Sequence, residues 1–335
     1  MTDTFAFGLG FSRQSASGAM LDCYFPRPLL SPQGALLDAL AGLPHGAHEV
    51  DVEFARVLDA AQDGGLVAGA ITPATTQHSL IAVRLDNDQP INSTAEAYLK
   101  LHLLSHRLCV PNSLNLDGIF AHLPNVAWTS EGPVAVDELT DAIARAHLNG
   151  RQLEVFAVDK FPKMVNYVVP TGVRIADASR IRLGAYLGDG TTVMHEGFVN
   201  FNAGAMGPNM VEGRISQGVT VGAGTDLGGS ASTMGTLSGG GNITISIGEN
   251  CLIGANAGTG IPLGDRCTIE AGLYITAGMK IQLFDEHGDS LGEVKARTLA
   301  GKSDMLFMRD SQVGNIICRT NRQAIELNDQ LHQHN

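Results

Sequence analysis

Between Ile175 and Ile281 an aliphatic residue returns at every sixth position in four successive blocks, and this beat constrains the fold more than any other feature of the chain. It falls on Ile175, Ile181, Leu187, Val193 and Val199, on Ile215, Val221 and Leu227, on Ile247 and Ile253, and on Leu263, Ile269, Ile275 and Ile281. A small residue follows most of them, as in Ile175-Ala176, Leu187-Gly188, Val221-Gly222, Leu227-Gly228, Ile247-Gly248, Ile253-Gly254 and Leu263-Gly264. A period of six matches neither the 3.6 of a helix nor the alternation of a long strand. It matches short strands joined by tight turns and stacked into a parallel β-helix.

The position four residues after each aliphatic supports the same register. Side chains two apart share a strand face, so this position must point inward together with the next aliphatic. It holds Ser179, Ala185, Thr191, Gly197, Ala203, Thr225, Ala231, Cys251, Ala257 and Cys267, all small enough for a narrow prism. Val219, Leu273 and Met279 are larger and are expected where a coil widens or is capped.

The 335 residues, 44% of them apolar, suffice for two domains and a substantial core. No apolar run approaches the ~18–20 residues of a membrane span. The opening Met1-Thr-Asp-Thr-Phe5 lacks the layout of a signal peptide. A soluble, cytoplasmic protein with no membrane partner is expected. A formal charge of −12 disfavours nucleic acid as a partner. Cys23, Cys109, Cys251, Cys267 and Cys318 are scattered, odd in number and without a CxxC, which argues against a disulfide framework and a structural zinc. Cys251 and Cys267 fall on the inward beat and read as core. One stretch reverses the charge: from Val294 to Arg322, Lys295, Arg297, Lys302, Arg309, Arg319 and Arg322 stand against Asp304 and Asp310. It is either a solvated face or a site for a polyanionic small molecule such as coenzyme A.

Three regions follow: 1–165 as an N-terminal α/β domain, 166–283 as the β-helix, and 284–335 as a C-terminal extension. In the first, Phe5–Phe11 and Leu21–Phe25 read as strands around a polar turn at Ser12–Gly18. Ser93-Thr-Ala-Glu96 is a capping box opening a helix that ends before Pro111. A second helix starts at Asp137 and stops at Asn149-Gly150, and Leu153–Val158 reads as a strand. Three interruptions break the beat: a slip around Ala205–Glu212, a Gly/Ser-rich insertion at Ser230–Gly241, and a slip at Gly258–Pro262. Loops extruded from a rigid prism can build a pocket where regular coils cannot. Gly222-Ala-Gly224-Thr-Asp-Leu-Gly228 superficially resembles a dinucleotide fingerprint, but its glycines fall at hexad turns and no helix follows.

Hexapeptide β-helices mainly serve two chemistries, coenzyme A-dependent acyl transfer and zinc-dependent carbonic anhydration. The second needs three histidines around a metal, and His195 alone lies in the repeat. His195 could be a general base for acyl transfer or could be structural.

Four strings then carry a resemblance: Met194-His-Glu-Gly-Phe-Val-Asn-Phe-Asn-Ala-Gly204, Met210-Val-Glu-Gly-Arg-Ile-Ser216, Met234-Gly-Thr-Leu-Ser-Gly-Gly-Gly241 and Glu270-Ala-Gly-Leu-Tyr-Ile-Thr-Ala-Gly278. They resemble the tetrahydrodipicolinate N-succinyltransferase family, in the longer form of actinobacteria and pseudomonads. Similarity is dense from about Val173 to Arg309 and looser before it. The resemblance implies a mostly β protein, a left-handed parallel β-helix with the two flanking regions. It also implies succinyl transfer from succinyl-CoA to tetrahydrodipicolinate, giving N-succinyl-2-amino-6-oxopimelate and CoA, in lysine and diaminopimelate synthesis. The family forms homotrimers with active sites between neighbouring β-helices.

Carried over residue by residue, the resemblance makes Glu212 the catalytic carboxylate, either through an acyl anhydride or, more simply, as a general base. Read from the residues alone, Glu212 could equally be a loop glutamate paired with Arg214. Arg214 suits a substrate carboxylate, which a guanidinium binds bidentately. Gly229 and Ser232 are implied to touch the acyl donor, and Ala255, Glu270, Ala271 and Gly278 to line the coenzyme groove. Lys295, Met308, Arg309, Asp310 and Ser311 would hold its nucleotide end. Glu196 matches a position that binds magnesium (Mg2+) near the trimer axis, but the second metal position, an aspartate in some relatives, is Ser179 here. A non-catalytic scaffold that binds an acyl-CoA, or transfer of another acyl group such as acetyl, are the competing readings.

Overall fold

The computed structural model describes residues 4–62, 79–237 and 243–320. Arg322 of the basic run and Ser238–Gly241 of the insertion therefore lie outside the described residues. The chain divides into two compact units, Met1–Cys109 with Ser113–Val168, and Val110–Asn112 with Val169–Asn335.

In the first unit an antiparallel sheet has the strand order Met20–Tyr24, Ala6–Gln14, Ser79–Leu85, Gly46–Glu49. The first strand runs through Ser12 and Arg13, which the sequence suggested as turn, because Phe11, Ser12 and Arg13 pair with Tyr24, Cys23 and Asp22. Half of the capping box forms: the Ser93 side chain accepts the Glu96 N–H, while the Glu96 carboxylate accepts the Asn92 N–H and not that of Ser93, and the helix Thr94–Ser105 follows. Eleven of its twelve residues are buried, including Lys100 and His102, so this helix runs through the core and not across the surface. A buried ammonium needs partners, and Lys100 Nζ has three, Asp88 Oδ1 at 2.6 Å, Gln89 O at 2.6 Å and Asn115 O at 2.7 Å. The helix Leu139–Leu148 ends at Asn149 and Gly150, the latter at φ 66°. The strand Val155–Asp159 closes a small sheet on Val126–Thr129.

The second unit is a parallel β-helix of three sheets. One contains Tyr186–Leu187, Gly204–Ala205, Thr220–Val221 and Ser246–Ile247; the second, Phe198–Val199, Arg214–Ile215, Ser232–Thr233, Gly258–Thr259 and Tyr274–Ile275. The third runs from Arg174–Ile175 through Thr192–Val193, Met210–Val211, Asp226–Leu227, Leu252–Ile253 and Thr268–Ile269. Register stacks like on like: Val193 pairs with Ile175 and Val211, Leu227 with Val211 and Ile253, and Ile269 with Ile253. From Ile181 onward the aliphatics are buried, and so are the inward Ala185, Thr191, Ala203, Thr225, Ala231, Cys251, Ala257 and Cys267. Ser179 departs from the pattern. It is exposed because Asp177 caps a short 3₁₀ turn, Ala178–Arg180, accepting from both the Ser179 amide and hydroxyl. The larger Val219 and Leu273 are buried inside the prism, whereas Met279 is half-buried.

The interruptions lie more sharply than the sequence suggested. The six-residue step survives from Ala205 to Val211, and the first slip is a shortened corner between Val211 and Ile215. The second is the corner from Thr259 to Leu263, which lets Leu263 meet Ile247. The insertion leaves after Thr233, narrows to an antiparallel bridge between Thr236 and Thr244, and rejoins at Ser246. After Ile281 the chain adds to the third sheet. Leu306 and Phe307 pair in parallel with Thr268 and Ile269, and Met305–Arg309 pairs antiparallel with Ile316–Thr320. The hairpin Lys280–Phe284 with Ser290–Lys295 adjoins that last strand.

Candidate active site

The site grows from one edge of the prism, where each coil turns from the third sheet into the second. Backbone bonds tie these corners into a column: Ser230 N–H to Glu212 O (3.1 Å), Asn256 N–H to Gly229 O (2.8 Å) and Gly272 N–H to Ala255 O (2.8 Å). The turns need a left-handed residue, supplied by Ser230 (φ 60°), Asn256 (φ 56°) and Gly272 (φ 75°). Serine is the least suited of the three to this region.

Glu212 occupies the shortened corner. Only Glu212 and Gly213 separate Val211 from Arg214, where the coil before has Met194–Gly197 between Val193 and Phe198. Gly213 is required there, since a Cβ would lie 2.5 Å from Ala231 O. The Glu212 side chain is half-buried, and among the described residues its carboxylate takes no hydrogen bond or ion pair. The simple pairing with Arg214 is not made; Arg214 Nη2 donates to Ser232 Oγ at 2.6 Å. A Cβ on Gly229 would lie 3.6 Å from Glu212 Oε2 and 3.6 Å from Glu196 Oε2, so both carboxylates face that glycine. Glu196 in turn accepts from Ser230 Oγ at 2.9 Å.

Beside this column lies a cleft of ≈ 540 Å³ lined by Arg180, His195, Glu196, Phe198, Arg214, Ser230, Ala231 and Ser232. Glu212 is not part of its wall; it stands on the next corner, across Gly229 from Glu196. Arg180 braces the wall by donating to Gly197 O (2.9 Å) and Glu196 O (3.0 Å). His195, the one histidine of the repeat, is exposed on it. Ser230 was not singled out by sequence, although a serine at a corner held by glycine or asparagine in neighbouring coils is a readable signal. Tyr274 was also missed: its hydroxyl lies 3.5 Å from Ser232 Oγ.

The implied coenzyme residues form two groups. Ala255, Glu270, Ala271, Met308 and Arg309 continue the corner column, and Glu270 Oε2 accepts the Arg309 N–H at 2.7 Å. Gly278 and Lys295 lie apart from it at the next corner, where Ala296 N–H bonds Met279 O at 2.8 Å. Asp310 is occupied within its own turn, accepting from Gln312 and Val313 amides, and Ser311 is exposed. Asp304 is bound in both oxygens by Arg266, at 2.7 and 2.9 Å, which leaves the neighbouring cations less opposed. Lys295, Arg297, Lys302, Arg309 and Arg319 are all exposed.

A magnesium ion at Glu196 does not fit the donors of one chain. No group of three or more His, Cys, Asp or Glu residues among the described residues can hold a metal. Ser179 donates to Asp177, which holds that carboxyl below its usual range and commits it to the turn.

Comparison with known proteins places the chain in a family. Residues 244–277 match the family described as "Hexapeptide repeat of succinyl-transferase", and residues 123–163 match "Tetrahydrodipicolinate N-succinyltransferase middle". Proteins named 2,3,4,5-tetrahydropyridine-2,6-dicarboxylate N-succinyltransferase are similar along their whole lengths. Those of Pseudomonas putida and Pseudomonas aeruginosa are 54% and 56% identical, each over 99% of this chain and 98% of the relative. That of Vibrio cholerae is 53% identical over 99% of both chains. A crystal structure of a Campylobacter jejuni 2,3,4,5-tetrahydropyridine-2-carboxylate N-succinyltransferase superposes with a TM-score of 0.86 at 30% identity, covering 97% of this chain and 94% of that one. The prism is accordingly of the left-handed kind. With relatives matching from end to end at more than half identity, this chain belongs to the tetrahydrodipicolinate N-succinyltransferase family.

Proposed function

We propose that this chain transfers the succinyl group of succinyl-CoA to tetrahydrodipicolinate, giving N-succinyl-2-amino-6-oxopimelate and CoA in lysine and diaminopimelate biosynthesis, with Glu212 as general base. Family membership supports the reaction. The observation that carries the role of Glu212 is its unpaired, half-buried carboxylate one corner from Arg214 and Ser232.

The chemistry balances as follows. Water adds across the ring C=N bond and leaves a secondary amine. Its nitrogen attacks the thioester carbonyl, and the N–H proton passes to Glu212. The C–S bond breaks and the thiolate leaves and takes that proton; the ring C–N bond of the hydrated carbon then breaks, its hydroxyl becomes the ketone, and the hydroxyl proton goes to the amide nitrogen. Arg214 and Ser232 hold a substrate carboxylate. Gly229, Ala255 and Ala271 leave room for an extended pantetheine; Arg309, with Met308, Asp310 and Ser311 adjoining it in sequence, faces its phosphates, and Gly278 and Lys295 take part from the neighbouring corner. The chain works as a cyclic homotrimer, which closes the bare sheet face that carries Arg214 and Ser232. A magnesium ion at Glu196 would need carboxylates from neighbouring chains, and no step runs through it.

Thiol release from succinyl-CoA and from acetyl-CoA, each with and without tetrahydrodipicolinate, tests the reading. Glu212→Gln should lower turnover about 10²-fold or more with little change in coenzyme affinity. Near-normal turnover in that variant sinks the assignment. A stoichiometric burst of thiol without the amine substrate would replace the base by a carboxylate nucleophile.

A further inference from the structure

We infer that Tyr274 is a third member of a carboxylate-binding site with Arg214 and Ser232, and that it helps the enzyme tell a carboxylate-bearing ligand from one without. The inference rests on the reaction proposed above.

The outward column of the second sheet reads Phe198, Arg214, Ser232, Gly258 and Tyr274, since these residues are successive register partners. Adjacent strands stand about 4.8 Å apart, so Tyr274 reaches Ser232 only by lying flat along the face over Gly258. It does so: a Cβ at Gly258 would come within 2.3 Å of Tyr274 Cε2 and 2.6 Å of Cδ2. The glycine makes the bed in which the ring rests, and Tyr274 is half-buried there.

Hydrogen accounting then points to an anion. Ser232 Oγ accepts from Arg214 Nη2 at 2.6 Å, so its own hydrogen turns elsewhere. Tyr274 Oη, 3.5 Å away, lies beyond the usual 2.5–3.0 Å of an O–H···O bond. Two hydroxyl hydrogens and the remaining guanidinium N–H groups thus flank one patch of surface. Among the described residues no carboxylate bonds to Arg214, Ser232 or Tyr274. A group that accepts from all three, at a spot where two hydroxyls stand slightly too far apart to satisfy each other, is a carboxylate oxygen. Both substrates carry carboxylates, at the end of the succinyl chain and on the ring.

The test compares wild type with Tyr274→Phe, which keeps the ring on Gly258 and removes the hydroxyl. Succinyl-CoA is set against butyryl-CoA, the same four-carbon chain without the carboxylate, and the Michaelis constant for tetrahydrodipicolinate is measured in parallel. Loss of one hydrogen bond to a charged group corresponds to about a tenfold or larger effect. If the site holds the donor, the succinyl-to-butyryl ratio of kcat/KM should fall by about that factor. If it holds the amine substrate, the ratio should stay and the tetrahydrodipicolinate constant should rise. Either result supports the site and identifies the ligand. Ser232→Ala combined with Tyr274→Phe should lose less than the product of the two single losses, because both hydroxyls serve one acceptor. Unchanged ratio and unchanged constants in Tyr274→Phe would overturn the inference. Failure of wild type to release thiol from succinyl-CoA in the presence of tetrahydrodipicolinate would instead remove the reaction on which it rests.

Discussion

Arg214→Lys separates a ligand-binding guanidinium from a brace. Arg214 is exposed and spends one N–H on Ser232 Oγ at 2.6 Å. A guanidinium offers five N–H donors in a rigid fork, so donors remain for a carboxylate on the adjoining surface. Lysine keeps the charge and loses the fork, and its ammonium cannot reproduce the same parallel bonds. Removing one charge-assisted hydrogen bond costs about 1.5–3 kcal/mol, roughly a ten- to hundredfold rise in the Michaelis constant of the carboxylated substrate. Glu212 is untouched, so kcat should change far less. Stability should move by less than about 1 kcal/mol, because an exposed polar contact contributes little to folding. Initial rates of thiol release with each substrate varied, and urea unfolding of the same preparation, measure both quantities. Constants within twofold of wild type together with a clear loss of stability would refute the reasoning and leave Arg214 as a brace for Ser232.

Replacing Lys295 and Arg309 with alanine should raise the Michaelis constant for succinyl-CoA and flatten its salt dependence, because screened attraction to phosphate is what is removed. The tetrahydrodipicolinate constant rising in its place would overturn that assignment. A further expectation concerns acid stability. Burial lowers the His102 pKa to about 3, and the ring is held neutral, with Nδ1 donating to Tyr98 O at 2.7 Å and Nε2 accepting the Phe25 N–H at 3.3 Å. Between that value and the unfolded pKa of about 6.5, the unfolded chain binds the extra proton. This contribution to stability is therefore complete above pH ~6.5 and falls with acidification, by about 2 kcal/mol at pH 5. Urea unfolding at pH 7 and pH 5 should show the drop, and His102→Gln should show less of it. An equal drop in both proteins would assign the acid sensitivity to other groups.

The prism was legible because its constraint is local and repeated. A coil of short strands can bury its aliphatics only if every sixth residue is apolar and the inward position four residues later is small. Ala185, Thr191, Ala203, Cys251 and Cys267 obey that rule and are buried. The helix from Ser93 was legible for a similar reason, since its cap lies within four residues. Ser179 broke the rule because an acidic cap two residues earlier diverted the chain into a turn. That Lys100 and His102 are buried with nearly the whole of that helix is decided by the tertiary packing around it and not by its cap.

What the sequence determined by itself was the periodic backbone, the family strings and the residue types available for chemistry, because each depends on neighbours along the chain. The meeting of residues from separate coils was decided by tertiary structure. Removal of two residues between Val211 and Ile215 is visible as a slip, but not that it sets Glu212 across Gly229 from Glu196. Arg214, Ser232 and Tyr274 stand 18 and 42 residues apart and share no motif, yet stacking of successive coils puts them in one column. The same stacking presses Tyr274 onto Gly258 and separates Gly278 and Lys295 from the corner that carries Glu270 and Arg309. In a stacked fold, distance along the chain and distance in space are related through the coil length, so one shortened corner or one insertion reassigns which side chains meet.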